Sequence, residues 1–176
     1  MAEATSNFQP LRAELEPQLA VAEQRFPHIL RLITDYDEAS DDGDEAKIQA
    51  VVESLRQLTG KDISEADLFE YYEAGSKEEL ALRLALPAPM VVAAITKAEV
   101  LEILRRLQEP QDFTKPWEEL SFAEQVGLYY LVEYYQELLK INFPTTCRHR
   151  DFGRRWGPDG RYYKLTREEL AARLLA

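Results

Sequence analysis

Apolar residues recur at helical spacing along almost the whole chain. Where they fall three and four residues apart they predict amphipathic helices, whereas segment 121–141 is apolar on nearly every face. A helix of that kind is typically buried at the centre of a fold. The pattern predicts a first segment, 8–22, kinked or split at Pro17, followed by helices at about 27–36, 48–58, 64–73, 76–86, 96–108, 121–141 and 166–175.

Helix start signals support these assignments. Four of the predicted helices begin with Ser or Thr followed three residues later by Glu, which is the capping-box pattern. In that arrangement the hydroxyl accepts from the backbone amide of the third helical residue, and the Glu accepts from the amide of the cap. The four pairs are Ser76 with Glu79, Thr96 with Glu99, Ser121 with Glu124 and Thr166 with Glu169, and Ser64 with Asp67 is a shorter variant.

One region has the pattern of β-structure. Segments 152–156 and 161–165 flank Gly157-Pro158-Asp159-Gly160, which predicts a hairpin that packs on the helices. The predicted fold is therefore all-α. We expect one compact domain at 1–176, with seven or eight helices around 121–141, and a small basic aromatic hairpin at 148–165 as an appendage before the last helix.

Composition sets further bounds. A chain of 176 residues with 45% hydrophobic and 30% charged residues is typical of a globular protein. The single cysteine, Cys147, excludes an internal disulfide and favours a reducing compartment. The first residues do not have the pattern of a signal peptide, and the longest apolar stretch, 84–95, is too short to span a bilayer. We therefore predict a soluble, cytoplasmic protein that does not enter a membrane.

Charge is unevenly divided along the sequence. The net charge is −11, yet residues 148–176 contain only 4 of the 32 acidic residues and 8 of the 21 basic ones. A strongly acidic body disfavours nucleic acid as the main partner and leaves a basic protein as the best class. The sequence leaves the oligomeric state open.

An acidic run follows the second predicted helix and is expected to form a helix end and loop at Gly43. Placing Gly43 at position 6 of a calcium loop puts Gln49 at position 12, where a bidentate Glu is required, so the run does not match an EF-hand. A solvated loop and a docking surface for a basic partner remain. The residues of the predicted partner-binding surface are Asp35, Asp37, Glu38, Asp41, Asp42, Asp44 and Glu45.

The basic segment near the C-terminus combines cations with aromatic rings. That mixture fits ion pairs within the chain, a protein-binding hot spot, or an anion site that uses stacking and phosphate contacts. We expect most of these cations to be neutralised within the molecule. The residues of the alternative anion site are Arg148, Arg150, Arg154, Arg155, Trp156 and Tyr162.

Catalytic and metal-binding patterns are weak in this sequence. Cys147 and His149 are two residues apart, and nearby arginines are expected to lower the pKa of the thiol, but adjacent positions rarely have the geometry of a nucleophile and its base. A zinc site needs about four ligands, and the only other His or Cys is His28. The phosphate-binding glycine motifs and the common hydrolase motifs are absent. We predict no catalytic residues, no metal and no cofactor.

Two helical faces admit a second interpretation. Glu133 and Glu137 share a face as carboxylates of helical metal sites do, but without a Glu-x-x-His companion an exposed stripe is the better interpretation. The tyrosine pairs at 71–72, 129–130 and 134–135 are expected to pack in the core with their hydroxyl groups near the surface. Together these features predict a non-enzymatic acidic protein-binding module, such as an immunity-type inhibitor. The alternative is a small anionic-ligand binder or enzyme that uses the C-terminal Arg and aromatic cluster.

Overall fold

The computed structural model describes residues 10–69, 71, 75–109, 115–148, 151–156 and 161–176, with only the backbone at 155 and 156. These residues are mostly helical, which confirms the all-α class. In chain order they form α1 (Leu19–Asp42), α2 (Glu45–Thr59), α3 (Glu65–Phe69), α4 (Lys77–Ala85), α5 (Lys97–Gln108), a 3₁₀ turn (Trp117–Glu119), α6 (Phe122–Tyr129), α7 (Leu131–Asn142), β1 (Arg155–Trp156), β2 (Tyr162–Tyr163) and α8 (Arg167–Leu174).

The predicted capping boxes are present. Ser76, Thr96 and Thr166 each accept a hydrogen bond from the amide of the Glu three residues later, and that Glu accepts from the amide of the cap. The Ser121 amide donates to Glu124 at 2.8 Å, and the Ser64 amide donates to Asp67 at the same distance. Each cap contributes about 1 kcal/mol to helix stability, so these starts are fixed by short-range chemistry.

The first two predicted helices are wrong in their boundaries. Residues before Leu19 include a turn near Arg12, and α1 then runs unbroken through Pro27 to Asp42. Proline removes the amide that would bind the carbonyl of Glu23. Both Pro27 and Glu23 lie on the exposed side of α1, where solvent is an alternative donor to the missing amide, and the helix continues.

The expected acidic loop is also wrong, because helix replaces most of it. Gly43 adopts a left-handed conformation with φ of 68°, and its amide donates to the Ser40 carbonyl at the end of α1. Asp44 immediately caps α2, accepting from the Lys47 amide at 3.1 Å. Only two residues therefore separate α1 from α2, and most of the carboxylates of the run lie on helical backbone.

The chain divides into two compact units, each built from separate stretches. The acidic unit, residues 17–88 and 115–129, contains 19 acidic and 8 basic residues, and therefore the whole net charge of −11. In it α1 packs against α2 and α4, α3 against α2, and α6 against α4. Its core includes the fully buried Ile29, Ile33, Tyr36, Leu55 and Leu82.

The neutral unit comprises residues 1–16, 89–114 and 130–176 and has 13 residues of each sign. Here α5 packs against α7 and α8, around Ile103, Leu104, Leu138, Leu139 and Leu170. The prediction of one domain over 1–176 remains a prediction.

The predicted central helix 121–141 is wrong. Tyr130, with φ of −122° and ψ of −12°, leaves helical geometry and separates α6 from α7. The two halves belong to different units, so the apolar residues that cover both faces of the segment serve two cores. Leu128 and Tyr129, next to the break, are exposed instead.

The strands form a minimal antiparallel ladder in the neutral unit. Arg155 pairs with Tyr163, and Trp156 pairs with Tyr162. Residues 157–160, where the hairpin turn was predicted, lie outside the described residues, and a complete hairpin stays a prediction. Among the described helices, none has the length and apolar content needed to cross a membrane.

Candidate partner-binding surface

The structure places all seven carboxylates of the predicted partner-binding surface within one helix junction. We call these residues the acidic surface. Five of them lie on the C-terminal part of α1, Asp44 is the N-cap of α2, and Glu45 is its first residue. Asp35 and Asp37 are half-buried, and the other five side chains are exposed.

Three members of the acidic surface have partners in the structure. The Tyr71 hydroxyl donates to the two carboxylate oxygens of Asp37 at 2.8 and 2.9 Å, and Asp44 caps α2. Glu38 lies 3.7 Å from the Lys47 ammonium group. For the remaining four, no ion pair or side-chain hydrogen bond is found with any described residue: Asp35, Asp41, Asp42 and Glu45.

The position of Asp41 and Asp42 is electrostatically unfavourable. A helix carries partial negative charge at its C-terminus, and the last turn of α1 contains no basic residue. Asp37 and Asp41 are also four residues apart, as are Glu38 and Asp42, so each pair brings like charges together on one face. The protein therefore keeps carboxylates where they reduce its own stability.

An apolar side chain accompanies the acidic surface. Phe69 ends α3 with 64% of its surface exposed, and it lies two residues before Tyr71, whose hydroxyl binds Asp37. Sequence reasoning missed this residue because its pattern matches a buried helical position. The signal is the exposure of a large ring, which only the structure shows.

The calcium-loop frame is excluded by the backbone. Its ligand positions Glu38, Ser40 and Asp42 lie on α1, whereas an EF-hand needs an irregular loop there. In the described parts of the chain, no group of three or more His, Cys, Asp or Glu side chains is arranged to hold a metal ion.

Within the described part of the chain, some arginines near the C-terminus have carboxylate partners and others do not. Arg167 pairs with Glu109 at 3.1 Å, and Arg173 pairs with the buried Asp151 at 3.0 Å. Arg148 and Arg154 are exposed, and neither has an ion pair with a described residue. The structure thus confirms that the two arginines of α8 are neutralised by carboxylates of the same chain. It does not show such neutralisation for Arg148 and Arg154.

Other members of the predicted anion site are less completely placed. Arg150 lies outside the described residues, and Arg155 and Trp156 contribute only backbone positions in β1. Tyr162 in β2 is 66% exposed. The described residues therefore do not show the six members converging on one cavity.

Cys147 is not an activated thiol. Burial, and after it the charge of the nearby Asp151 carboxylate, raise the pKa of this side chain to about 11. Arg173 does lower the pKa of this thiol, as predicted for a neighbouring arginine, but desolvation outweighs that attraction and the net shift is upward. His149, the proposed partner of the thiol, lies outside the described residues.

A buried ionic network in the neutral unit was not predicted. Glu102 is buried on α5, and its carboxylate accepts from Arg105 Nε and Arg106 Nε, both at 2.9 Å. Burial raises the pKa of Glu102, but the hydrogen bonds from both arginines outweigh this and hold it below its usual value. The Arg106 guanidinium also donates to both carboxylate oxygens of Glu16, from Nη1 to Oε2 at 2.7 Å and from Nη2 to Oε1 at 3.0 Å.

Tyrosines complete this network. Tyr135 is buried, donates to Glu16 Oε2 at 3.1 Å and accepts from Arg106, whose guanidinium carbon lies 5.5 Å from the ring centroid. Tyr134 donates to the Glu16 carbonyl at 3.2 Å, and burial raises its pKa to about 12. With each of these groups partnered, the network anchors residues before α1 to the neutral unit and is structural.

The tyrosine faces therefore pack largely as predicted. Tyr71, Tyr134 and Tyr135 are buried with bonded hydroxyls, whereas Tyr129 is 42% exposed and lies edge-on to Trp117 at 5.3 Å. Glu133 and Glu137 are exposed, in agreement with the interpretation as a solvent-facing stripe. Tyr72 lies outside the described residues.

Lys61 has an unusual environment in the acidic unit. Its ammonium group donates to the Arg83 carbonyl at 2.6 Å near the end of α4. The helical donor for that carbonyl would be the amide of residue 87, which is proline and has none. Burial, together with the positive charges of Arg83 and Arg25, lowers the pKa of Lys61 to about 8.

Comparison with known proteins adds no assignment to this geometry. No known protein family, no curated protein sequence and no solved structure has significant similarity to the chain.

Proposed function

We propose that the protein is a non-enzymatic binding module whose acidic surface docks a basic protein, in the manner of an immunity-type inhibitor that masks a cationic site. The observation that carries this proposal is the pair of carboxylates at the end of α1, Asp41 and Asp42, for which the described residues provide no ion-pair partner. Groups held where they destabilise the free protein are typical of functional surfaces, because a ligand supplies the missing compensation.

Charge supports the same partner class. The acidic unit holds the entire net charge of −11, and a field of that sign accelerates encounters with a cationic protein. The helical backbone at Asp41 and Asp42 fixes the carboxylates in place before contact. Less conformational entropy is lost on binding when charged groups are presented in this way.

Phe69 supplies the apolar part of the proposed interface. Aromatic residues are enriched at the buried centres of interfaces, with charged groups at their rims. Tyr71 is buried and holds Asp37, so its ring is not offered to a partner. The proposed contact is therefore Phe69 at the centre with carboxylates around it.

The test compares two triple variants of equal charge. The surface variant carries Asp41→Asn, Asp42→Asn and Glu45→Gln, and the control carries Glu23→Gln, Glu118→Gln and Glu119→Gln, all exposed residues of the acidic unit. Each is titrated with fluorescein-labelled octa-arginine at low salt, followed by anisotropy. Each is also immobilised to capture proteins from a lysate of the source cells.

The surface variant is expected to lose roughly tenfold or more affinity for the peptide, and to lose the captured basic protein. Phe69→Ala is expected to reduce capture of the protein and to leave octa-arginine binding unchanged. Equal losses in both triple variants would show that bulk charge alone attracts cations. Failure to capture any basic protein at low salt would contradict the proposed function.

A further inference from the structure

Three cations lie together at the open end of the α1–α2 hairpin in the acidic unit. Two residues join these helices, and helices that pack together across so short a link run antiparallel. Arg25 and Lys61 are each 18 positions from Gly43 in the link, so the hairpin brings them to the same end. The Lys61 ammonium group donates to the Arg83 carbonyl at 2.6 Å, which adds Arg83 of α4. We call Arg25, Lys61 and Arg83 the cation cluster.

The members of the cation cluster repel one another. Burial, and after it the positive charges of Arg83 and Arg25, lower the pKa of Lys61 to about 8. None of the three cations has an ion pair with any described residue, although the acidic unit contains 19 acidic residues. Asp62 follows Lys61 in the sequence, but its side chain is exposed and forms no ion pair with it. The repulsion is therefore not relieved within the described part of the unit.

Other carboxylates near the cation cluster have partners of their own. Asp67 accepts from the Ser64 amide and hydroxyl at 2.8 and 2.5 Å, and these bonds, followed by the charge of Arg83, lower its pKa. Glu79, one turn before Arg83 on α4, accepts from the amide of the helix N-cap. On α1, the residues three and four positions from Arg25 include no Asp or Glu. These carboxylates are thus committed to helix starts.

Helix stability accounts for only part of this positive charge. The C-terminal end of a helix carries about half an elementary negative charge, and the Lys61 ammonium group replaces the donor that Pro87 lacks at the end of α4. One cation meets both needs, yet three are present. A bound anion would remove the repulsion and gain charge-assisted hydrogen bonds, so the arrangement fits an anion site.

The donors of the cation cluster match a phosphate group. A guanidinium group binds phosphate oxygens through paired N–H donors, and an ammonium group adds a compact charge. The chain's net charge of −11 opposes a long polyanion, but at about 0.1 M salt that field is screened beyond roughly 10 Å. We propose that the cation cluster binds the phosphate group of a small molecule, held by Arg25, Lys61 and Arg83.

The phosphate group has two sources, the inorganic ion or a phosphate monoester. Inorganic phosphate and glycerol 3-phosphate are therefore titrated separately, at low ionic strength, into the full-length protein labelled with ¹⁵N and with ¹³C-lysine. NMR follows the backbone amides of residues 60–62, and the Lys61 Cε signal reports the pKa of the ammonium group with and without each probe. Sodium chloride at matched ionic strength is the control for screening.

Matched variants locate the site. Arg25→Gln and Arg83→Gln are each expected to weaken phosphate binding roughly tenfold. Arg31→Gln and Lys77→Gln remove one charge from the same two helices and are expected to leave the affinity unchanged. Without phosphate, Arg25→Gln and Arg83→Gln should also raise the pKa of Lys61, because each removes a positive charge that acts on it. None of the four replaced side chains has an ion pair with a described residue, so unfolding temperatures should not fall and serve as the folding control.

Saturable shifts near Lys61, a higher Lys61 pKa in the presence of the probe, and weaker binding in Arg25→Gln and Arg83→Gln alone support the proposal. Tighter binding of glycerol 3-phosphate assigns a monoester, and tighter binding of inorganic phosphate assigns the free ion. Absence of binding at millimolar concentrations of both probes overturns it, as do the same shifts in sodium chloride or equal weakening by the control variants.

The pKa of Lys61 tests the geometry separately. If this pKa is unchanged in both arginine variants, the three cations do not meet and the proposal fails. None of these outcomes depends on the basic partner of the acidic surface.

Discussion

Neutralising Asp41 and Asp42 is expected to make the free protein more stable while weakening its binding to a cation. Both residues lie in the last turn of α1, which contains no basic side chain. Each charge at that end of a helix costs about 0.3–1 kcal/mol at low ionic strength. Each also follows another carboxylate by four residues, Asp37 or Glu38, which costs about 0.2–0.5 kcal/mol per pair. Asp41→Asn with Asp42→Asn should therefore stabilise the protein by roughly 1–3 kcal/mol.

The assay is urea unfolding followed by far-ultraviolet circular dichroism, at low ionic strength and at about 1 M NaCl, where the Debye length is about 3 Å. The stabilisation should shrink at high salt because its origin is exposed charge. Glu45→Gln is the matched control, since Glu45 lies in the first turn of α2, where negative charge is favourable. That change should destabilise the protein by about 0.3–1 kcal/mol.

The essential result is that the change in unfolding free energy has opposite signs in the Asp41→Asn, Asp42→Asn double variant and in Glu45→Gln. If the double variant is no more stable than the wild type at low salt, the carboxylates of α1 are not strained and the argument for a functional surface fails. A stabilisation that persists fully at high salt would assign the effect to side-chain packing instead of charge.

Three other predictions concern buried groups. Arg106→Met should destabilise the protein by about 3–5 kcal/mol in urea unfolding, because it leaves Glu102 buried with part of its ionic network missing. Lys61 binds its proton less tightly in the folded state than in the unfolded state. The free energy of unfolding should therefore rise between about pH 8 and 10.5, and this rise should be missing in Lys61→Met. Equal dependence of the unfolding free energy on pH in the two proteins would contradict this prediction. The Cys147 thiol and the Tyr134 phenol have raised pKa values, so each should reduce stability as pH rises, from about 9 to 11 for the thiol and from about 10 to 12 for the phenol. Thiol reactivity and phenol absorbance that titrate at ordinary values in the native protein would refute the last prediction.

Features that depend on a few neighbouring residues were predictable from the sequence. The capping boxes at Ser76, Thr96 and Thr166 formed as expected, because their donors and acceptors lie within four residues. The end of α2 at Gly60 is similar, with a left-handed φ of 70° that glycine adopts without strain.

Features set by tertiary packing were not predictable. Nothing at Tyr130 breaks a helix by propensity, yet the two sides of this residue pack in different units. Proline normally ends a helix, but α1 continues through Pro27, which lies on the exposed side of the helix. Both errors come from applying local rules where burial decides the outcome.

The residues of the candidate site were predictable from the sequence, but their backbone conformation was not. The seven carboxylates were identified from the sequence, but as a loop, whereas helix geometry gives Asp41 and Asp42 their unfavourable position. Phe69 was missed because exposure cannot be judged from a periodic pattern. The network of Glu16 and Arg106 was missed because its members are 90 positions apart in the chain.

The hydrogen bonds of the Glu16 carboxylate form late during synthesis of the chain. Its partner Tyr135 lies 119 positions later in the chain. At translation rates of roughly 5–20 residues per second, the early segment waits about 6–24 s on the ribosome before its phenol partner is made. During that interval the Glu16 carboxylate and the neighbouring Leu15 lack the partners that they have in the folded chain, so this part of the neutral unit forms only late in synthesis.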